Sequence, residues 1–148
     1  MSDPRSFPTR PFLAVSAAIV RDGKVLIVRR ARPPAKDVYT LPGGVVEAGE
    51  NLHEAVVREV REETALTIEP IKLAGHREAI KRRADGRVER HFVILCFAAR
   101  FVSGTPVPSD GEVAEILWCR PSELGRLRTT EGLAEIVQSA FALLGETP

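Results

Sequence analysis

Apolar runs alternate along this chain with short polar breaks rich in glycine and proline, a pattern of strands and turns. "FLAVSAAIV" (12–20) and "KVLIVRR" (24–30) flank "RDG", a hairpin-type turn. "ARPPAKDVYT" reads as a loop, because Pro33 and Pro34 oppose regular strand pairing. "TIEPIKLAGHREAI" predicts a strand and "RRADGRVER" a turn centred on Asp85-Gly86. "HFVILCFAARFV" is so continuously apolar that it predicts a central strand. After the loop "GTPVPSDGE", "VAEILWC" predicts one more strand.

Two segments carry helical signals, and a third opens on one. Asn51 is a good N-cap with Glu54 three residues on, the spacing of a capping box, and the helix it starts should run to about Thr64. Pro121 stands where a helix would open in "PSELGRL", and "EGLAEIVQSAFALLGE" is an amphipathic C-terminal helix. Residues 1–11 hold three prolines and read as an extended lead-in, leaving 12–148 as a single domain. Strands interleaved with helices imply the α/β class, in layers.

Composition narrows the field. The chain has 148 residues, enough for one domain with a real core, and its 44% hydrophobic and 28% charged residues exclude a disordered chain. A net charge of +1 supplies no global attraction to a nucleic-acid polymer or a membrane. No apolar segment approaches a membrane-spanning length, and "MSDPRSFPTRPF" lacks the apolar region of a signal peptide. Cys96 and Cys119 are too few for a disulfide framework and read as buried thiols. A reducing cytoplasm is the expected compartment. His53, His76 and His91 are scattered, without the spacing of zinc ligands.

The helix after Asn51 poses the chemical question. Glu59, Glu62 and Glu63 fall within about a third of the helix circumference, overlapping the apolar stripe of Leu52, Ala55, Val56 and Val60. Glu59 and Glu63, four residues apart, repel each other. A solvated, salt-bridged face is one solution, with Arg58 reaching Glu54 and Glu62. A divalent cation is the other, since a hard ion takes oxygen ligands and neutralises clustered carboxylates. Gly43 and Gly44, just ahead of the helix, allow close backbone approach, and their carbonyls are able to ligate a cation.

The full spacing is more specific. Gly44 is followed by five residues and Glu50, then seven residues and Arg58-Glu59, then Val60, Arg61, Glu62-Glu63, Thr64, Ala65 and Leu66. This resembles the Nudix box of the Nudix hydrolases, with one departure: Ala65 stands where the family has glycine. The strand layout, "LPGG" and "WCRPSEL" extend the resemblance over most of the chain. It implies a Nudix-type α/β/α sandwich with a mixed central sheet.

It also implies a metal-dependent hydrolase of nucleoside diphosphate derivatives, using Mg²⁺ or Mn²⁺. Carried onto this chain, Glu59 and Glu63 are metal ligands, Glu62 shares a metal or activates water, and Gly43 adds its carbonyl. Glu50 and Arg58 form a supporting ion pair at the loop–helix junction that Gly44 begins, with Glu47 an outer partner. Similar sequences place an acid six residues before a tryptophan, which is Glu112 here, a further metal ligand or base.

The regions around "VRRARPPAKDVYTLPGG" and "EAIKRRADGRVERHFVILCFAARFVSGTPV" resemble an ADP-ribose pyrophosphatase branch. Arg30, Arg32 and Arg77 are the phosphate candidates, and Tyr39 is an aromatic able to stack on a base or to pack in the core. The partner implied is a small-molecule nucleotide, with a homodimer left open. Oxidised nucleoside triphosphates are the alternative substrate. A non-catalytic nucleotide-binding regulator is the alternative from another class, although the three intact glutamates speak against it.

Overall fold

The computed structural model of the chain describes residues 4–33 and 35–148, so Pro34 and the first three residues of the lead-in lie outside it. The elements follow the apolar runs. Strands β1 (Phe12–Arg21) and β2 (Lys24–Arg30) are joined by Asp22-Gly23, both at positive φ (52° and 73°), the two-residue turn that suits a hairpin. Next come β3 (Tyr39–Thr40), β4 (Gly43–Val45), α1 (Leu52–Thr64), β5 (Thr67–Arg82), β6 (Val88–Ser103) and β7 (Val113–Cys119). A short 3₁₀ helix (Pro121–Arg126) precedes α2 (Leu133–Leu144).

The sheet runs β3-β2-β1-β6-β5, with β4 paired to β1 and β7 to β2. It is mixed: β1 and β6 are parallel from Phe12 opposite Phe92 to Val20 opposite Arg100, and the other pairings are antiparallel. Side-chain alternation feeds two cores. Val15, Ala17, Ile19, Leu26, Val28, Phe97 and Ala99 pack beneath α1 through its Ala55, Val56 and Val60. Ala18, Val20, Val25, Ile27, Cys96 and Ala98 face Ile136, Val137, Ala140 and Phe141 of α2. This is the expected α/β/α sandwich.

Four local readings change. The "YT" of the presumed loop forms β3, because Tyr39 and Thr40 pair with Arg29 and Val28 of β2. β6 occupies the centre, but only Cys96–Ala99 is buried and its first half is half-exposed, lining a cleft. Arg58 does not pair with Glu54, because Glu54 is held in the capping box with Asn51. Residues 4–7 form turns and bends against the β5–β6 hairpin rather than an extended run. Among the described residues, no helix is long and apolar enough to cross a membrane.

Candidate active site

The site begins with the two glycines of β4. In register with Ser16 and Val15, they bring the chain hard against β1 and α1. A Cβ on Gly43 would stand 2.0 Å from the Val15 carbonyl oxygen, and one on Gly44 would stand 2.3 Å from Cδ of Glu59. A side chain at Gly43 would strike backbone, and one at Gly44 would displace the Glu59 carboxylate. The bare backbone lets the Gly43 N–H reach Glu63 Oε2 at 3.4 Å.

Arg58 organises the acids. It grips Glu50 with two bonds, Nε to Oε2 at 2.7 Å and Nη2 to Oε1 at 2.8 Å, and Nη2 also reaches the Val45 carbonyl at 3.1 Å. Its Nη1 donates to Glu59 at 2.9 Å and to Glu62 at 3.2 Å. Glu50 accepts the Glu47 amide as well, at 2.9 Å. The guanidinium and then that amide pull the Glu50 carboxyl down to about 2. The ion pair predicted between Glu50 and Arg58 is therefore present, and it ties the loop to α1.

The C-terminus of α1 is tied just as firmly. The last carbonyls of a helix lack intrahelical donors. Here Arg61 O accepts the Ala65 N–H at 2.9 Å, Glu63 O the Ser109 N–H at 3.3 Å, and Thr64 O the Val107 N–H at 2.9 Å, while Glu62 O takes the Ser109 hydroxyl. Ala65 lies in the left-handed region at φ 66°, where glycine is the usual residue. The 104–112 loop is thus fastened to the acid turn.

That fastening brings in Asp110, which sequence reasoning missed. Its negative charge acts on Glu63, and it lines the same cleft. Burial first, then Asp110 and Glu59, push the Glu63 carboxyl up to about 8. Burial also raises Glu59, against the opposing pull of Arg58. The signal for Asp110 was its place beside Ser109, two residues before Glu112, but only the loop's hydrogen bonds make it adjacent to α1.

The acids line a cleft of about 590 Å³. They are Glu59, Glu62, Glu63, Asp110 and Glu112, with Arg30, Arg77, Arg90 and Arg5 among the other lining residues. Sequence reasoning named Arg30 and Arg77 and missed Arg90 and Arg5. Arg32 sits at the rim, its guanidinium beside Gly111, and does not line the cleft. Tyr39 does not line it either: its hydroxyl is bonded to Glu115 and its ring packs against the α2-side core, so the packed alternative holds.

The donor set is all oxygen and strongly anionic, the chemistry of a hard divalent cation. Among the described residues no three acidic, histidine or cysteine side chains converge into a closed cage; Glu59 and Glu62 rest on Arg58, and Glu63 rests on Gly43. The crowded, desolvated carboxylates still fit such a cation, because a divalent ion would offset the mutual repulsion that helps to raise Glu63.

The NUDIX domain pattern matches residues 10–140. The chain belongs to the Nudix hydrolase family. A curated relative, the ADP-ribose pyrophosphatase of Methanocaldococcus jannaschii, is 42% identical over 94 residues, which is 64% of this chain and 53% of the relative. The NAD-capped RNA hydrolase NudC of Pseudomonas aeruginosa is 33% identical over 100 residues, 68% of this chain but 33% of that protein. The chain therefore spans about half the length of the first relative and a third of the second. Among solved structures, the MutT NUDIX hydrolase from Burkholderia pseudomallei superposes with a TM-score of 0.77 at 29% identity, covering 88% of this chain and 98% of that one. In this Nudix chain the box is the stretch Gly44–Leu66, which holds Glu50, Arg58 and the three glutamates, and Ala65 is its one departure.

Proposed function

We propose that this Nudix chain hydrolyses the diphosphate linkage of nucleoside diphosphate derivatives, with ADP-ribose as the favoured substrate, giving AMP and ribose 5-phosphate. The observation that carries this reading is a cleft lined both by carboxylates and by arginines. Carboxylates suit a divalent cation, and guanidiniums suit phosphate oxygens. The likeness to an ADP-ribose pyrophosphatase supports the substrate.

In this reading Glu59 and Glu63, with the Gly43 carbonyl, hold Mg²⁺ or Mn²⁺. The bound cation would neutralise phosphoryl oxygens and lower the pKa of a water. Glu62, whose side chain is 52% exposed against 14% for Glu59, has the freedom to accept a proton from an attacking water. Glu112, in the same cleft, is the other candidate base or ligand. Arg30 and Arg77 orient the diphosphate. Arg58 and Glu50 hold the acid turn in place. The two buried free cysteines suit the cytoplasm.

A second reading is a pyrophosphohydrolase of oxidised nucleoside triphosphates, whose phosphate chain the same carboxylates and arginines of the cleft would also suit. A panel of ADP-ribose, NAD and an oxidised triphosphate, scored by kcat/KM with Mg²⁺ and with Mn²⁺, tests both. ADP-ribose is expected to lead; a tenfold preference for the triphosphate (about 1.4 kcal/mol) would overturn the first reading. Absence of turnover on every compound, with binding retained, would leave a nucleotide-binding regulator.

A further inference from the structure

One contributor to the cleft lies outside the stretch that matches the family. Arg5 precedes residue 10, where the Nudix pattern begins, yet it lines the cleft with Arg30, Arg77 and Arg90, and its charge acts on Glu59. Two residues on, Phe7 ties this stretch to the hairpin of β5 and β6. The Phe7 N–H donates to the Glu89 carbonyl at 2.9 Å, which pins this turn to the start of β6. The Phe7 ring lies 4.2 Å from the Arg87 guanidinium carbon and 5.6 Å from that of Arg83, both within cation–π range.

Those two arginines are themselves presented by a closed turn. Arg83 N–H bonds to Arg87 O at 2.9 Å, Arg82 reaches Gly86 O at 3.1 Å, and Gly86 takes φ 88°. Burial does not hold Phe7, since it is 37% exposed. Its φ is 52°, a conformation that a bulky L-residue adopts only when its surroundings impose it. The chain bends there, and Arg5, two residues earlier, lines the cleft.

We propose that residues 4–7 form a strap, latched by Phe7 to the tip of the β5–β6 hairpin, that sets the Arg5 guanidinium over the cleft to bind the diphosphate group of the substrate. The inference rests on the nucleotide-hydrolase reading for its ligand. Phe7 is the positioning residue and Arg5 the binding one. A planar guanidinium suits two oxygens of one phosphate, which an ammonium cannot grip in the same way.

Calorimetric titration with ADP, with and without Mg²⁺, tests the strap on the full chain. Arg5→Ala should weaken ADP by about tenfold, the worth of one charge-assisted contact. Arg5→Lys should recover part of that loss. Phe7→Ala should weaken ADP by roughly threefold or more, and Phe7→Trp, which keeps an aromatic face, should retain wild-type affinity. Neither side chain sits in the core, so all four variants should melt with the wild type. On the turned-over substrate KM should rise with kcat nearly unchanged. Wild-type ADP affinity in Arg5→Ala overturns the proposal, and so does an Arg5→Ala effect confined to Mg²⁺ affinity, which would make Arg5 a counter-ion of Glu59. Loss in Arg5→Ala without loss in Phe7→Ala removes the latch. A wild type that binds ADP in this strap-dependent way but hydrolyses nothing on the panel sinks the hydrolase reading and leaves the strap standing.

Discussion

The carboxyl group of Glu59 lies where the side chain of Gly44 would be: a Cβ there would come within 2.3 Å of Glu59 Cδ and 2.4 Å of its Oε2. The Glu59 carboxylate fills the space beside the bare Gly44 backbone, so a side chain at Gly44 would have to move it. Gly44 is not among the residues at positive φ, so proximity rather than backbone freedom favours glycine. Gly44→Ala is therefore expected to push Glu59 off Arg58 and out of the acid cluster. Destabilisation of about 1–3 kcal/mol, the usual cost of overpacking, should accompany a loss of turnover larger than stability explains. Urea unfolding beside kcat on the folded fraction measures both; a variant with normal turnover would place Glu59 outside the chemistry.

Glu63 yields a pH dependence. Its carboxyl titrates near 8 in the folded, cation-free chain against an ordinary value of 4.5. Between these values the folded state binds more protons than the unfolded one, so stability falls as pH rises. The chelated protein should be most stable below about pH 4.5 as far as this group is concerned, and should lose on the order of a few kcal/mol by pH 8. Glu63→Gln should abolish that slope, and millimolar Mg²⁺ should restore stability to the wild type at pH 8 but not to the variant. Thermal melts across pH 5–8 with EDTA and with Mg²⁺ check it. In turnover, Glu63→Gln should lose roughly 10²–10³ in kcat.

What could be read in advance depended on the range of the interaction. The capping box of Asn51 and Glu54 is a four-residue code, and α1 begins where it says. The Asp22-Gly23 turn is equally local. The Arg58–Glu50 pair, implied by the resemblance, is present, and Arg58 also reaches Glu62 one turn on; only its alternative partner Glu54 is taken, by the capping box. Asp110 joins the acids only through the bonds of Ser109 and Val107 to the end of α1, contacts that span more than forty residues. Tyr39 fell to the opposite side for the same kind of reason, since its partner Glu115 belongs to a strand seventy-six residues away. Short-range spacing carried the acid turn, and long-range pairing decided what surrounds it.

Arg58 joins Glu50, Glu59 and Glu62, so its removal should be felt by all three. Arg58→Ala leaves the acids without their shared donor and should cost about 2–3 kcal/mol, with a large drop in turnover. Arg58→Lys should rescue little, because an ammonium cannot hold Glu50 with two bonds while reaching Glu59. The same pair sets an acid limit. The Glu50 carboxyl is depressed to about 2 in the folded chain, so its contribution is present above its ordinary value of 4.5 and fades as pH falls toward 2. Acid unfolding of the wild type and of Arg58→Lys should converge at low pH; parallel curves would show that the pair adds nothing.

Ala65 is the single departure from the box, and the structure shows how it is accommodated. The residue stays left-handed at φ 66° and ψ 10°, its N–H bonded to Arg61 O, so the helix ends as a glycine would end it. The left-handed conformation costs an L-residue about 1–2 kcal/mol, and glycine escapes that cost while adding entropy to the unfolded chain. Ala65→Gly should therefore raise stability by up to about 1 kcal/mol. Activity should change little, because Ala65 offers no ligand and the carbonyls of Glu62, Glu63 and Thr64 remain fixed by Ser109 and Val107. Denaturant unfolding of the variant beside the wild type decides it. A less stable glycine variant would mean that the 104–112 loop, rather than the backbone preference at residue 65, holds the end of α1.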